Sequence, residues 1–134
     1  VIVENPGFLL SYTGYDNLRF LASINKKITT SQIKSAMKAV GLDPSDARKV
    51  KAYSLGMKQK LAIAQAIMEK PDVLILDEPT RGLDQESVDA IRELLLNINK
   101  NGTTILISSH NAEDISVLCN QVYTMKDGKI IIPA

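Results

Sequence analysis

The sequence lacks the features that identify disulfide-rich, membrane-spanning, strongly basic or secreted proteins. It has one cysteine, Cys119, which excludes an internal disulfide framework and fits a reducing cytosol. No apolar run approaches the ~18 residues that a membrane-spanning helix requires. The 16 Lys and Arg nearly balance the 15 Asp and Glu, so bulk charge is unsuited to holding nucleic acid. No basic stretch precedes an apolar one at the start, and a signal peptide is therefore not expected.

What is present suits one packed domain. The chain has 134 residues, of which 45% are hydrophobic and 23% are charged, so a core can form and disorder is not expected. It begins at Val1 rather than at Met, and we expect it to be a piece of a longer protein. The composition thus predicts a soluble, single-domain, intracellular chain.

Hydrophobic periodicity predicts helices in the first half and alternating strands and helices in the second. The continuous apolar run at 72–76 predicts a parallel strand that is buried on both faces. Thr30 is the expected cap of the second helix, and Asp127-Gly128 is a strong hairpin signal. The helices are predicted at 15–23, 31–40, 57–70, 85–100 and 111–118, and the strands at 1–3, 72–76, 103–108, 121–125 and 129–132. This pattern indicates an α/β fold with a helical insertion.

Two adjacent carboxylates, Asp77 and Glu78, follow the run at 72–76. The carboxyl ends of parallel strands are where open α/β sheets bind ligands. Neighbouring strand residues point to opposite sides, so one carboxylate could hold Mg²⁺ while the other orients or deprotonates a water. On the pair alone, an acidic strand end in solvent is an equally good interpretation.

The surrounding residues resemble the motifs of ATP-binding cassette (ABC) ATPases, in the family's order. Residues 73–84 resemble the Walker B motif followed by the D-loop, and residues 53–57 resemble the signature motif. Residues 108–110 resemble the switch-histidine loop, and residues 3–6 occupy the position of the Q-loop. The resemblance covers essentially the whole chain, and the signature next to Walker B is its most specific part.

The resemblance implies a role for residues on the Walker B side. Asp77 would position Mg²⁺, Glu78 would activate water, and His110 would hold the γ-phosphate of ATP. Glu4, which replaces the usual Gln of the Q-loop, would be a metal contact near the phosphates. Taken by itself, a lone His is more often a structural surface residue.

Three further residues would act on a second cassette, according to the same resemblance. Ser54 and Gly56 would bind the γ-phosphate held by the facing copy, and Asp84 would couple the two sites. A helix start that carries a hydroxyl and free N–H groups suits a phosphate. In isolation, Ser54 and Asp84 would each be an ordinary helix cap.

The fold implied is a partial P-loop NTPase (RecA-like) core with a mostly parallel sheet and a C-terminal hairpin. Residues 8–70 would form the ABC helical subdomain, and residues 71–134 the Walker B side of the core. The cofactors implied are ATP and Mg²⁺. The partners implied are a transmembrane permease subunit and a second ATPase domain, in a homodimer or heterodimer, with no nucleic acid and with a location on the cytoplasmic face of the membrane.

Glu4, Leu55 and Met57 depart from the family consensus in a way that resembles bacterial exporters of bacitracin, lantibiotics and other drugs. The implied function is therefore an ATPase subunit that couples hydrolysis to export of a peptide or a drug-like molecule. Two alternatives stay open: an ABC ATPase that works on ribosomes or DNA, and a non-catalytic interaction module.

The phosphate-binding loop G-x-x-x-x-G-K-[ST] does not occur in these residues, because no two glycines are five apart and none precedes Lys-Ser or Lys-Thr. We therefore expect the chain alone to bind Mg-ATP weakly and to be inactive. In the family's sheet order, the strand of that loop lies beside residues 103–108. That stretch should consequently present an open apolar edge.

Overall fold

The computed structural model describes the backbone of residues 2–3 and all atoms of residues 7–131. The first half of the chain is helical, as predicted. Helix α1 spans Gly14–Ile24, α2 spans Thr30–Ala39 and α3 spans Leu55–Ile67, with a short 3₁₀ turn at Val50–Ala52.

Strands and helices alternate in the second half. In chain order the elements are β1 (Ile2–Val3), β2 (Val73–Asp77), α4 (Gln85–Lys100), β3 (Thr104–Ser108), α5 (Ala112–Leu118), β4 (Thr124–Lys126) and β5 (Lys129–Ile131). The bounds of α4 are those that its apolar spacing predicts. The strand predicted from 121 begins only at Thr124, and Ile132 lies outside the described residues.

The strands form two sheets. The order of the first is β1-β2-β3, with both pairs parallel and with Ile75 opposite Leu106 in the register. The second is the antiparallel hairpin β4-β5. Its turn residues Asp127 and Gly128 both have positive φ, 51° and 74°, as a tight hairpin turn requires. The predicted mostly parallel sheet with a C-terminal hairpin is confirmed.

Two further local predictions are wrong. The face of β2 that carries Leu74 and Leu76 is buried, but Val73 is 49% exposed, so burial is one-sided at the start of this strand. The cap of α2 is Thr29 rather than Thr30. Thr29 is the cap because it forms a reciprocal pair of hydrogen bonds with Gln32. The side chain of each residue accepts the backbone N–H of the other, at 2.8 and 3.1 Å.

The core is a single cluster that runs from the three N-terminal helices onto one face of the parallel sheet. Its most deeply buried members include Leu18, Leu61, Ile63, Leu74 and Leu95. Among the described residues, β3 pairs with β2 on one side only, and its Leu106 is 59% exposed. No helix within that part of the chain combines the length and the apolar character needed to cross a bilayer.

Candidate functional site

Glu78 lies directly after β2, at the carboxyl edge of the sheet. Its backbone N–H donates to the Ser108 carbonyl at 2.8 Å, and its Oε1 accepts the backbone N–H of His110 at 3.0 Å. The imidazole of His110 is 99% exposed, and its Nε2 lies 3.6 Å from the same Oε1. The structure therefore brings Glu78 and His110 together.

The backbone of Glu78 has φ of 49°, in the left-handed region that residues with a Cβ seldom adopt. Such a conformation persists only where its surroundings impose it, and such residues cluster at functional sites. Here the bond that Glu78 donates to Ser108 and the bond that it accepts from His110 help to hold the residue in place. Asp77, the last residue of β2, sits opposite Ser108 in the register and is half-buried.

Ser54 and Gly56 form the start of α3. Ser54 is the helix cap, and its hydroxyl accepts the N–H of Met57 at 3.1 Å. The N–H groups of Leu55 and Gly56, in the first turn, have no intrahelical acceptor. This end of α3 packs against the start of α4, since a Cβ on Gly56 would come within 2.9 Å of Ser87 Oγ.

Asp84 caps α4, where its Oδ1 accepts the Ser87 N–H at 3.1 Å. The hydroxyl and the N–H of Ser87 lower the pKa of this exposed carboxyl below its ordinary 3.8, because both stabilise the charged form. Gly82 reaches the start of α3 too, and a Cβ there would lie 3.1 Å from Leu55 Cδ2. Ser54, Gly56 and Asp84 thus belong to one corner of the molecule.

The predicted site residues fall into two groups: Asp77, Glu78 and His110 at the sheet edge, and Ser54, Gly56 and Asp84 where α3 and α4 begin. No hydrogen bond between side chains joins the groups within residues 7–131. The turn that follows Glu78 connects them along the chain. Glu4 lies outside the described residues.

Sequence reasoning missed a buried polar cluster beside the site. Asp114 on α5 accepts hydrogen bonds from the Thr80 hydroxyl and from Arg92 of α4, whose Nε and Nη2 lie 2.7 and 2.6 Å from Oδ1. Asp114 in turn raises the pKa of Arg92. A usable signal was present, because Arg92 falls on the buried stripe of α4 with Val88, Ile91 and Leu95. A charge in such a stripe implies a buried partner.

The donor set at the sheet edge fits a magnesium nucleotide. Asp77 and Glu78 offer hard carboxylate oxygens, and Mg²⁺ is bound in proteins through one or two carboxylates together with substrate phosphates. No cluster of three or more metal-ligating side chains is found in the part of the chain that the structure describes.

Comparison with known proteins gives a consistent result. The sequence profile of the family described as "ABC transporter" matches residues 1–81. The chain is 43% identical over 130 residues to the uncharacterized ABC transporter ATP-binding protein YybJ of Bacillus subtilis (strain 168), covering 97% of this chain and 60% of the relative. It is 42% identical over 131 residues to the bacitracin transport ATP-binding protein BcrA of Enterococcus faecalis, covering 97% and 42%.

Another relative is the lantibiotic transport ATP-binding protein SrtF of Streptococcus pyogenes, 37% identical over 98% of this chain and 57% of its own length. The chain thus spans about half the length of the curated relatives it matches.

Two solved structures share the fold. The structure of cbiO1 from Clostridium perfringens, part of the ABC transporter complex cbiONQ, matches with a TM-score of 0.83 and 32% identity, covering 98% of this chain and 55% of that one. The ATP-binding cassette MJ0796, in a dimeric post-hydrolysis state with ADP and Pi, matches with a TM-score of 0.82 and 22% identity, covering 96% and 59%.

Proposed function

This chain belongs to the ABC transporter family of ATP-binding proteins, and from that premise we propose that it is the Walker B side of an ATPase subunit that drives export of a peptide or a drug-like molecule. Within it, residues 8–70 are the helical subdomain and residues 71–134 belong to the nucleotide-binding core.

The observation that carries the proposal is the juxtaposition of Glu78 and His110 at the carboxyl end of a parallel sheet. The 3.0 Å bond from the His110 N–H to Oε1 restrains the direction of the Glu78 carboxylate. Its remaining acceptor sites are available to a ligand. A general base must be held within hydrogen-bond reach of the water whose proton it takes, and this geometry supplies that restraint.

Each residue of this group has a distinct task. Glu78 orients the attacking water and accepts its proton, while Asp77 offers its carboxylate to Mg²⁺. The exposed imidazole of His110 donates a hydrogen bond to the phosphate that is transferred. Mg-ATP, when bound, supplies the phosphoryl group and the leaving group, and the metal neutralises charge that develops on the phosphates. Glu4 remains a proposed metal contact.

The corner formed by the starts of α3 and α4 is proposed to face a second cassette. The N–H groups of the first turn of α3 lie at the positive end of the helix dipole, which favours an anion such as the γ-phosphate held by the partner. Ser54 and Gly56 supply this end, and Asp84 lies beside it on the cap of α4. Support for a paired arrangement comes from the dimeric cassette of the same fold.

The partner in the membrane and the transported molecule are inferred from the relatives. BcrA and SrtF are named for bacitracin and lantibiotic transport, and cbiO1 is part of a transporter complex. We therefore propose that the complete protein binds a permease at the cytoplasmic face of the membrane. A peptide antibiotic is the cargo that these names favour.

The test is ATP hydrolysis by the complete protein that contains this sequence. Glu78→Gln keeps the shape of the side chain but removes the base, so we expect turnover to fall by about 10²–10⁴-fold. Glu69→Gln, which alters an exposed residue just beyond α3, is the matched control and should hydrolyse ATP at the wild-type rate. Wild-type protein without ATPase activity, or a Glu78→Gln variant with undiminished activity, would contradict the proposal.

A further inference from the structure

Asp114 is the most deeply buried charged residue in the described part of the chain, at 1% exposure. Its two oxygens have different partners. Oδ1 accepts a hydrogen bond from Arg92 Nε and is in ion-pair contact with Arg92 Nη2, and Oδ2 accepts a hydrogen bond from the Thr80 hydroxyl. These partners lie 22 and 34 residues away along the chain, so the cluster exists only in the folded protein.

The three residues come from three different elements around the candidate site. Thr80 belongs to the turn that begins at Glu78, a turn closed by the bond from the Arg81 N–H to the Glu78 carbonyl at 3.2 Å. Asp114 lies on α5, the helix that starts just after His110. One carboxylate therefore connects the turn that carries Glu78 with the helix that follows His110.

Charge pairing alone does not explain this arrangement. Arg92 compensates the buried carboxylate through Oδ1, and it also reaches the exposed Glu113, with Nη1 3.3 Å from Oε1. The bond from Thr80 is an addition that restrains the backbone two residues after Glu78. Glu78 needs such restraint, because its φ of 49° is unfavourable unless the surroundings impose it.

We propose that Asp114 is a positioning residue for Glu78, acting through the hydroxyl of Thr80, so that the base keeps its orientation toward the attacking water. This inference rests on the proposed ATPase function. Asp114 is almost fully buried, and we assign its effect on Glu78 to its contact with Thr80. It keeps the turn after β2 and the start of α5 in fixed relation, which preserves the bond between the His110 N–H and the Glu78 carboxylate.

The experiment compares three variants of the complete protein. Thr80→Val removes the hydroxyl and keeps the branched shape, Thr80→Ser restores the hydroxyl, and Glu113→Gln disturbs the exposed contact of the same Arg92 as a control. We expect Thr80→Val to lower kcat about tenfold while KM for ATP stays within about twofold, since a misplaced base affects the chemical step rather than binding. Thr80→Ser and Glu113→Gln should keep kcat within about twofold of wild type.

A second measurement does not depend on turnover. Amide hydrogen exchange at His110, followed by NMR in the same proteins, should become faster in Thr80→Val and return to the wild-type rate in Thr80→Ser. Unchanged kcat and unchanged exchange in Thr80→Val would overturn the inference, as would a failure of Thr80→Ser to rescue either quantity. If the wild type hydrolyses no ATP, the proposed function fails, and the exchange rate at His110 alone decides whether Thr80 orders this turn.

Discussion

Gly56 is a position where packing within the chain, apart from any ligand, predicts a measurable effect. An added Cβ would lie 2.9 Å from Ser87 Oγ and 3.5 Å from Ser87 Cβ. Overpacking of a well-packed core typically costs about 1–3 kcal/mol, and the cost at this half-buried position should lie at the lower end of that range. Alanine in place of glycine gains at most about 1 kcal/mol in a helix, and less in its first turn. We therefore expect Gly56→Ala to lower the free energy of unfolding by about 1 kcal/mol.

The cause can be isolated with a double-mutant cycle. Ser87→Ala removes the Oγ and leaves the Cβ at 3.5 Å, which is ordinary van der Waals contact. In that background Gly56→Ala should be neutral or stabilising by up to about 1 kcal/mol, so the coupling energy should be at least about 1 kcal/mol. Urea unfolding of the wild type, both single variants and the double variant measures it.

Gly7 provides the matched control, because a Cβ there meets nothing within 4 Å. Gly7→Ala should combine additively with Ser87→Ala. Independent sites are expected to show a coupling energy below about 0.5 kcal/mol. If the coupling energy between Gly56→Ala and Ser87→Ala is that small, the steric explanation is refuted.

Four further outcomes are expected. Thr29→Ala should cost about 1 kcal/mol of stability while Thr30→Ala costs a few tenths, as urea unfolding would show, because only Thr29 forms the reciprocal cap. The lowered pKa of Asp84 means that its charged form stabilises the fold above pH 3.8 and that this contribution is lost as pH falls through the folded pKa. The difference between the urea midpoints of wild type and Asp84→Asn should accordingly become smaller as the pH is lowered from about 5 to about 3. Glu78→Gly should be more stable than Glu78→Ala by about 1 kcal/mol in the same assay, since only glycine adopts the positive φ at no cost. Calorimetry should find that the 134-residue chain binds Mg-ATP more weakly than micromolar, because the pattern that cradles the β- and γ-phosphates does not occur in it.

The sequence predicts those elements whose signal is periodic and long. The apolar spacing of α4 predicts both ends of the helix correctly. The β-branched run predicts the bounds of β3 to within one residue. Prediction from the sequence fails where two neighbouring residues are equally suited to the same structural role. Thr29 and Thr30 are equally good caps by type, and only the reach of Gln32 decides between them. The strand predicted from 121 starts late, because apolar residues at 122 and 123 do not by themselves form a ladder.

The candidate site shows the same division. The chemistry of Asp77, Glu78 and His110 can be predicted from their residue types and from their positions at the ends of predicted strands. The short distance between Glu78 and His110 follows because β2 and β3 are parallel and end at the same edge of the sheet. The positive φ of Glu78 is not visible, because nothing in an Asp-Glu-Pro sequence requires it. It depends on contacts with distant parts of the chain, among them the bonds to Ser108 and His110, which are some 30 residues away.

The position of Asp114 follows from a different constraint. A carboxylate that is almost fully buried is costly unless charged and polar donors surround it, and such donors must themselves come from the core-facing sides of other elements. Arg92 meets this need from the buried stripe of α4, at the expense of an apolar side chain there. Replacement of a buried ion pair by well-packed apolar residues of similar volume is often neutral or stabilising. Apolar residues, however, could not form a directional bond to the turn that begins at Glu78. If Glu78 is to act as a base, that turn must be held in one orientation, and the hydrogen bond between Thr80 and Asp114 does this.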